Sequence, residues 1–312
     1  MDRSVPPRRV HVPLVLVSAS SAQRRSQLTA QAFANLPEGS TWGLLLSSRL
    51  AVPPPWLSGR AVARLSGCPC CMGAMPLLAA YTGLVRSIGP LAGLVIELDA
   101  HARLCPMIDL VRSRAVRSTG LELGEVWCAV QDRDWPDRPR GPDDERVVQM
   151  LAAADRLWVV EPELRTDIEM YLRHALWSET VAWEGGGVPD WTPAQQAQAP
   201  DETDLSDNKP ADQTERWTPI GAAQSGVLWR WCAHPQRRFD RRRLEQTLSD
   251  LGPSARLKAA RAVFQTEREW YQWQPGEPLQ PSFWRRDSRL DVMLDEGAPP
   301  AHWAAALAAC AQ

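Results

Sequence analysis

Along the first half of the chain, short apolar runs alternate with amphipathic stretches. "VPLVLVSAS" (12–20) is a nearly continuous run of Val and Leu ending in small polar residues, which predicts a strand buried on both faces. "SQLTAQAFANL" (26–36) follows with Leu28, Ala32, Phe33 and Leu36 at helical spacing, which predicts a helix. "TWGLLLSS" (41–48) predicts a second buried strand, "MPLLAAYTGLVRSI" (75–88) a helix and "LAGLVIELDA" (91–100) another buried strand. "GEVWCAVQD" (124–132) and "ADRLWVVEP" (154–162) continue the series, with "DDERVVQMLAAADR" (143–156) as the helix between them. Strands alternating with helices over about 160 residues imply βαβ units and a mostly parallel sheet with helices on both faces.

The pattern then breaks. Residues 184–216 are rich in Gly, Pro, Gln and acids and nearly empty of aliphatic residues, the composition of a flexible acidic linker. After it, "GVLWRWCAH" (226–234), "EWYQWQP" (269–275) and "RLDVMLDE" (289–296) read as strands, and "PAHWAAALAACAQ" (300–312) as a closing helix. "FDRRRLEQTLSDLG" (239–252) is a helix with Asp240 as N-cap, Leu244, Leu248 and Leu251 as the apolar stripe, and Gly252 as the stop. The expected organisation is an α/β domain over 1–183, the linker 184–216 and a small α+β domain over 217–312. No internal repeat is present.

A net charge of −2 gives no reason to expect a nucleic-acid or membrane partner. The run "RRFDRRR" (237–243) falls on the polar side of a patterned helix start, so it reads as a solvated face. Seven cysteines, unevenly clustered, argue against a secreted disulfide framework. The apolar stretch at Val12–Val17 is shorter than a signal core, and a reduced, cytoplasmic protein is the expectation.

Three places carry candidate chemistry. The first strand-to-helix junction, "ASSAQRRS" (19–26), stands where a phosphate-binding loop G-x-x-x-x-G-K-[ST] would lie. That loop needs its glycines so that backbone N–H groups can wrap phosphates, and its Lys to neutralise their charge. Here Ala19 and Arg24 fill the glycine positions and Arg25 the Lys position; only Ser26 fits. The arginines could still attract an anion at the helix start. The cluster "GCPCC" (67–71) puts Cys68, Cys70 and Cys71 in one turn. Three thiolates suit zinc or cuprous ion, with a fourth position open to water, a carboxylate, His101 or Cys105. The alternatives are a buried small-residue turn or a redox pair, the latter strained between adjacent Cys70 and Cys71. Glu97 ends a buried strand, where it could orient magnesium or water, or simply be a strand-end charge.

The order of these parts resembles the CobW family of P-loop GTPases, which are associated with zinc and cobalt handling. The resemblance spans nearly the whole chain apart from the linker. Its most specific element is "GCPCC", which matches the family's G-C-x-C-C and so implies that Cys68, Cys70 and Cys71 hold a metal, zinc above all. "LVIEL" (94–98) matches the strand that continues E-x-x-G, aligning Glu97 with an acid of the catalytic region, and "ADRLWVV" matches the strand leading into the guanine-reading N-K-x-D. The resemblance also places GTP and magnesium at a phosphate loop formed here by Ala22, Gln23, Arg24, Arg25, Ser26 and Gln27.

The departures all point the same way. The loop glycines and Lys are gone, "LDA" (98–100) replaces the segment with the switch glycine, and Val160, Glu161, Pro162 and Glu163 replace the guanine-reading motif. The acidic metal-proximal loop after the second strand is missing as well. Phosphoryl transfer rests on positioning and electrostatics, so these losses together predict a fold retained without hydrolysis. The implied role is a zinc-binding pseudo-GTPase that hands metal to, or regulates, a metalloprotein client. The rival readings are a divergent zinc-responsive GTPase and a scaffold that binds no metal.

Overall fold

The structure is a computed structural model that describes residues 11–36, 38–47, 61–65, 69–99, 102–134, 145–164, 166–168, 182–185, 215–223, 226–234, 237–251, 257–267, 269–285, 287–295 and 297–312. The chain divides into two compact units, residues 1–197 and 198–312.

In the first unit the strands are β1 (Val12–Ala19), β2 (Trp42–Leu46), β3 (Ala61–Arg64), β4 (Gly93–Glu97), β5 (Leu121–Val130), β6 (Arg156–Val159) and β7 (Ala182–Gly185). They form one sheet in the order β3-β2-β4-β1-β5-β6-β7, and every neighbouring pair is parallel. The helices are α1 (Ala22–Ala34), α2 (Pro69–Met72), α3 (Ala74–Ile88), α4 (Leu104–Val111), α5 (Arg114–Arg117) and α6 (Glu145–Ala153). This is the parallel α/β sheet that the strand–helix alternation predicts, consistent with the P-loop NTPase-like fold that the resemblance implies.

Both faces of the sheet are covered, which is why its strands read as unbroken apolar runs rather than alternating ones. On one face Val15, Val17 and Ala19 of β1 join Leu28, Ala32 and Phe33 of α1, with Leu44, Val95, Trp127 and Trp158. On the other, the Cβ position of Gly43 in β2 faces Leu84 of α3, Leu91 and Leu94. Gly93 has a steric reason for being glycine: a Cβ there would lie 2.3 Å from the Trp42 ring.

The second unit is an antiparallel sheet with two helices. Strands β8 (Trp217–Ala223), β9 (Gly226–Cys232), β10 (Leu257–Gln265), β11 (Trp270–Trp273), β12 (Gln280–Pro281) and β13 (Arg289–Leu294) run in the order β12-β11-β10-β13-β9-β8. Helix α7 (Arg241–Leu251) and helix α8 (Ala301–Ala309) pack on one face. Their core gathers Trp231, Phe239, Leu244, Leu248, Phe264, Leu290, Val292, Trp303 and Leu307. Asp240 caps α7 as its spacing predicts: its Oδ1 accepts the Arg243 N–H at 2.9 Å. Gly252 lies outside the described residues. Among the described residues no helix is long and apolar enough to cross a membrane.

Candidate functional site

The candidate site lies at the carboxyl ends of β1, β2, β4, β5 and β6, where parallel α/β sheets assemble their ligands. Only Ser20 and Ser21 separate β1 from α1. The helix begins at Ala22, four residues before the predicted start, so Ala22, Gln23, Arg24 and Arg25 form its first turn and Ser26 and Gln27 follow within it. Ser21 is the N-cap residue in extended geometry, and its carbonyl accepts the Arg25 N–H at 3.1 Å. A phosphate cradle needs an open loop here, and a helical turn occupies that stretch instead.

Arg25 closes the junction further. The residue is only 3% exposed, and Nη1 donates to the Ala19 carbonyl at 2.7 Å. The guanidinium therefore folds back onto the end of β1. Burial pushes its pKa down, and the nearby Glu97 and Asp99 carboxylates partly offset that. Arg24 points elsewhere: Nη1 donates to Gln27 Oε1 at 3.0 Å, and the guanidinium lies 5.2 Å from the centre of the Trp158 ring. That is cation–π distance, so Arg24 is engaged within its own fold.

Glu97 ends β4 and is 1% exposed. Neither carboxylate oxygen receives a hydrogen bond. Thr29 stands near enough to act on it electrostatically, but the Thr29 hydroxyl donates to the Arg25 carbonyl at 2.9 Å. Burial raises the Glu97 pKa; Thr29 and the Arg25 cation pull it back in part. The Glu97 main chain is tied as well: its carbonyl accepts both the N–H and the hydroxyl of Ser47, each at 3.0 Å. Ser47 Oγ in turn accepts the Asp99 N–H. These bonds join the ends of β2 and β4.

The pKa direction fixes a pH dependence. The folded protein holds the Glu97 proton more tightly than the unfolded chain does. Stability linked to that proton is complete below the ordinary carboxylate range and is lost as pH rises through the folded value. Glu97→Gln removes the titration. Thermal unfolding is expected to show the two proteins equal near about pH 4, with the Gln variant increasingly the more stable toward about pH 8. A gap that is constant with pH, or reversed in sign, contradicts this.

The far side of the site is stitched in the same way. Ser20 Oγ donates to Asp134 Oδ2 at 2.8 Å, and that oxygen also accepts the Gln131 N–H at 3.1 Å. Glu161, where the resemblance expects the guanine-reading Lys, accepts the Asp132 N–H on Oε2 at 2.8 Å. Glu161 thus caps the turn after β5. Glu163 lies in a single 3₁₀ turn, Pro162–Leu164. The cleft beside the junction is lined by Ser18, Ser20, Ala102, Leu104, Met150 and one cationic residue, Arg146. The residues at this junction do not fit a magnesium–triphosphate group.

The remaining candidate is the sulfur cluster. Cys68 and His101 lie outside the described residues. Cys70 is in α2, Cys71 is exposed on it, and α2 lies beside α3 and α4. Cys105 is buried at the start of α4, its N–H directed at Gln149 Oε1 at 3.3 Å. Among the described residues no three His, Cys, Asp or Glu side chains converge on one point. By donor chemistry, three thiolates suit zinc.

Sequence reasoning picked out Glu97 and Arg25 but missed Thr29, Ser47, Asp99 and Asp134, which surround them or bind their neighbours. The available signal was position: each stands in, or just beyond the carboxyl end of, an element of the parallel sheet or its first helix.

No family model and no curated protein matches the chain. Among solved structures the chain is similar to the Zn(II)-bound YjiA GTPase from E. coli, at 12% identity and a TM-score of 0.44, over 96% of this chain and 99% of that one. It is also similar to a Zn(II)-bound triple mutant of YjiA GTPase, at 13% identity and a TM-score of 0.44, over 97% and 99% of the two chains.

Proposed function

We propose that this chain is a CobW-like metal-handling protein that keeps the GTPase architecture without the GTPase reaction. Zinc is held by the thiolates of Cys68, Cys70 and Cys71, and the protein exchanges metal with, or regulates, a metalloprotein client in the cytoplasm. The observation that carries the pseudo-GTPase half is the two-residue junction after β1, sealed by the Arg25 guanidinium on the Ala19 carbonyl. A triphosphate needs backbone N–H groups presented around an open loop. Here the loop has become helix, and a side-chain cation already occupies its mouth. Glu97 is likewise too enclosed to orient an attacking water. The zinc half rests on donor chemistry, since soft thiolates are the commonest ligands of structural zinc.

One experiment tests both halves. Fluorescent GTP is titrated into reduced protein with magnesium, with and without zinc, and metal content is read by mass spectrometry for wild type and Cys70→Ser. The expected result is no saturable nucleotide binding up to about 100 μM, a level at which even weak ligands of −5 to −6 kcal/mol register. Zinc is expected to be stoichiometric in wild type and largely lost in the Ser variant. Micromolar GTP binding with zinc-stimulated turnover makes the protein a divergent GTPase instead. Equal and negligible zinc in both proteins makes it a scaffold.

A further inference from the structure

Three exposed large apolar side chains stand out among the described residues, and two of them are methionines next to Cys71. Met72 is 60% exposed and Met75 is 73% exposed, although methionine is a residue type that ordinarily goes inside. They flank a sharp bend. Helix α2 ends at Met72, Gly73 turns the chain with φ +80°, and α3 begins at Ala74. Met72 is thus the last residue of one helix and Met75 lies in the first turn of the next. Even drawn straight, the chain from Cys71 to Met75 spans at most about 14 Å. Three rotatable bonds let each thioether swing toward the thiol.

The surrounding chemistry is selective. From Leu65 to Val85 the sequence contains no Asp, Glu, His, Lys or Arg. Sulfur is therefore the metal-binding donor this stretch offers. Zinc takes thiolate, imidazole and carboxylate ligands, and a neutral thioether adds little to it. The cuprous ion, soft and singly charged, accepts thiolate and thioether alike.

We infer that the exposed sulfur corner at the α2–α3 bend takes a cuprous ion, with Cys71 as thiolate and Met72 and Met75 as thioether ligands. The inference rests on the reading that the cysteine cluster binds metal, and it adds a metal class that uses the methionines as well. A plain apolar contact surface would need only the hydrocarbon; a copper site needs the sulfur.

Met72→Leu/Met75→Leu separates the two, because leucine keeps the size and apolarity and removes the sulfur, an exchange that folded proteins tolerate well. The full-length reduced protein is titrated anaerobically with cuprous ion against a chromophoric cuprous chelator, and zinc content is measured in parallel. The double variant is expected to bind cuprous ion at least about tenfold more weakly, a loss of about 1.4 kcal/mol, with zinc content and circular dichroism unchanged. Equal cuprous affinity in the two proteins overturns the inference, as does a wild type that never competes with the chelator. A second measurement uses selenomethionine-labelled protein: copper-edge X-ray absorption is expected to show a copper–selenium path, and its absence also overturns the proposal. If wild type lacks zinc but shows methionine-dependent cuprous binding, the zinc reading fails and this one stands. If zinc is bound and cuprous affinity ignores the methionines, the reverse holds.

Discussion

Arg25→Met is expected to cost the first unit about 3–5 kcal/mol, read as a fall in the urea midpoint at neutral pH. The reason is electrostatic rather than steric. Arg25 and Glu97 are both buried, and each sits in the other's field. Removing the cation leaves Glu97 enclosed with no charge to balance it, and leaves the Ala19 carbonyl without its donor. Adding Glu97→Gln to the same protein removes the stranded charge, so the double variant is expected to recover most of the loss. The deficit of the single variant should also shrink toward acid pH, where Glu97 takes up a proton. A single variant within about 1 kcal/mol of wild type, or a double variant weaker than the single, would falsify the account of the junction as a balanced internal pair.

Asp291→Ala is expected to produce a loss of similar size, about 3–5 kcal/mol, in the second unit. Asp291 is fully buried on β13 and is gripped by Arg230 of β9, whose Nε and Nη2 donate to its two oxygens at 2.8 Å each. The strand register places Arg261 of β10 opposite it on the other side, and Arg289 lies two residues along the same strand. Burial lowers the pKa of both Arg261 and Arg289, so the environment already disfavours their charge. Deleting the acid strands the Arg230 cation and removes a stabilising field from Arg289. Thermal unfolding followed by tryptophan fluorescence reads the loss. Replacing the bonded pair together, with Arg230→Met and Asp291→Leu, should restore much of it. Should Asp291→Ala unfold within a degree or two of wild type, the pair is not holding this sheet.

Most of the α/β half was legible because a strand buried on both faces has a plain signature. β1, β2 and β4 are short unbroken apolar runs, and the sequence places them within a residue or two. The misses have physical causes. β3, "AVAR", is short and half-exposed, so it carries neither a buried run nor a clean alternation. β10 begins "LKAA", residues at home in a helix, and becomes a strand because it is paired on both sides, with β11 and β13. Tertiary pairing overrides local preference there. The early start of α1 escaped the apolar spacing because Ala22 and Gln23 face solvent and add nothing to the stripe.

The candidate site was legible by position more than by role. Glu97 stood out as an acid at the end of a buried run, and it is indeed enclosed at that strand end. Arg25 was the harder residue. An arginine in the first turn of a helix reads as a surface charge, and only the fold shows it turned inward to the Ala19 carbonyl. Glu161 follows the same logic: it reads as the loss of a ligand-binding motif, and the fold shows it capping the Asp132 turn. Both residues bond to the main chain of their own unit.

The brevity of the link between Ala19 and Ala22 has a consequence for how this protein comes into being. A protein whose nucleotide is part of its native state gains stability in proportion to the logarithm of ligand supply. This chain closes the same corner with its own arginine. On the proposed reading the folding of the first unit draws nothing from nucleotide supply, and its unfolding midpoint is expected to be the same with and without GTP and magnesium.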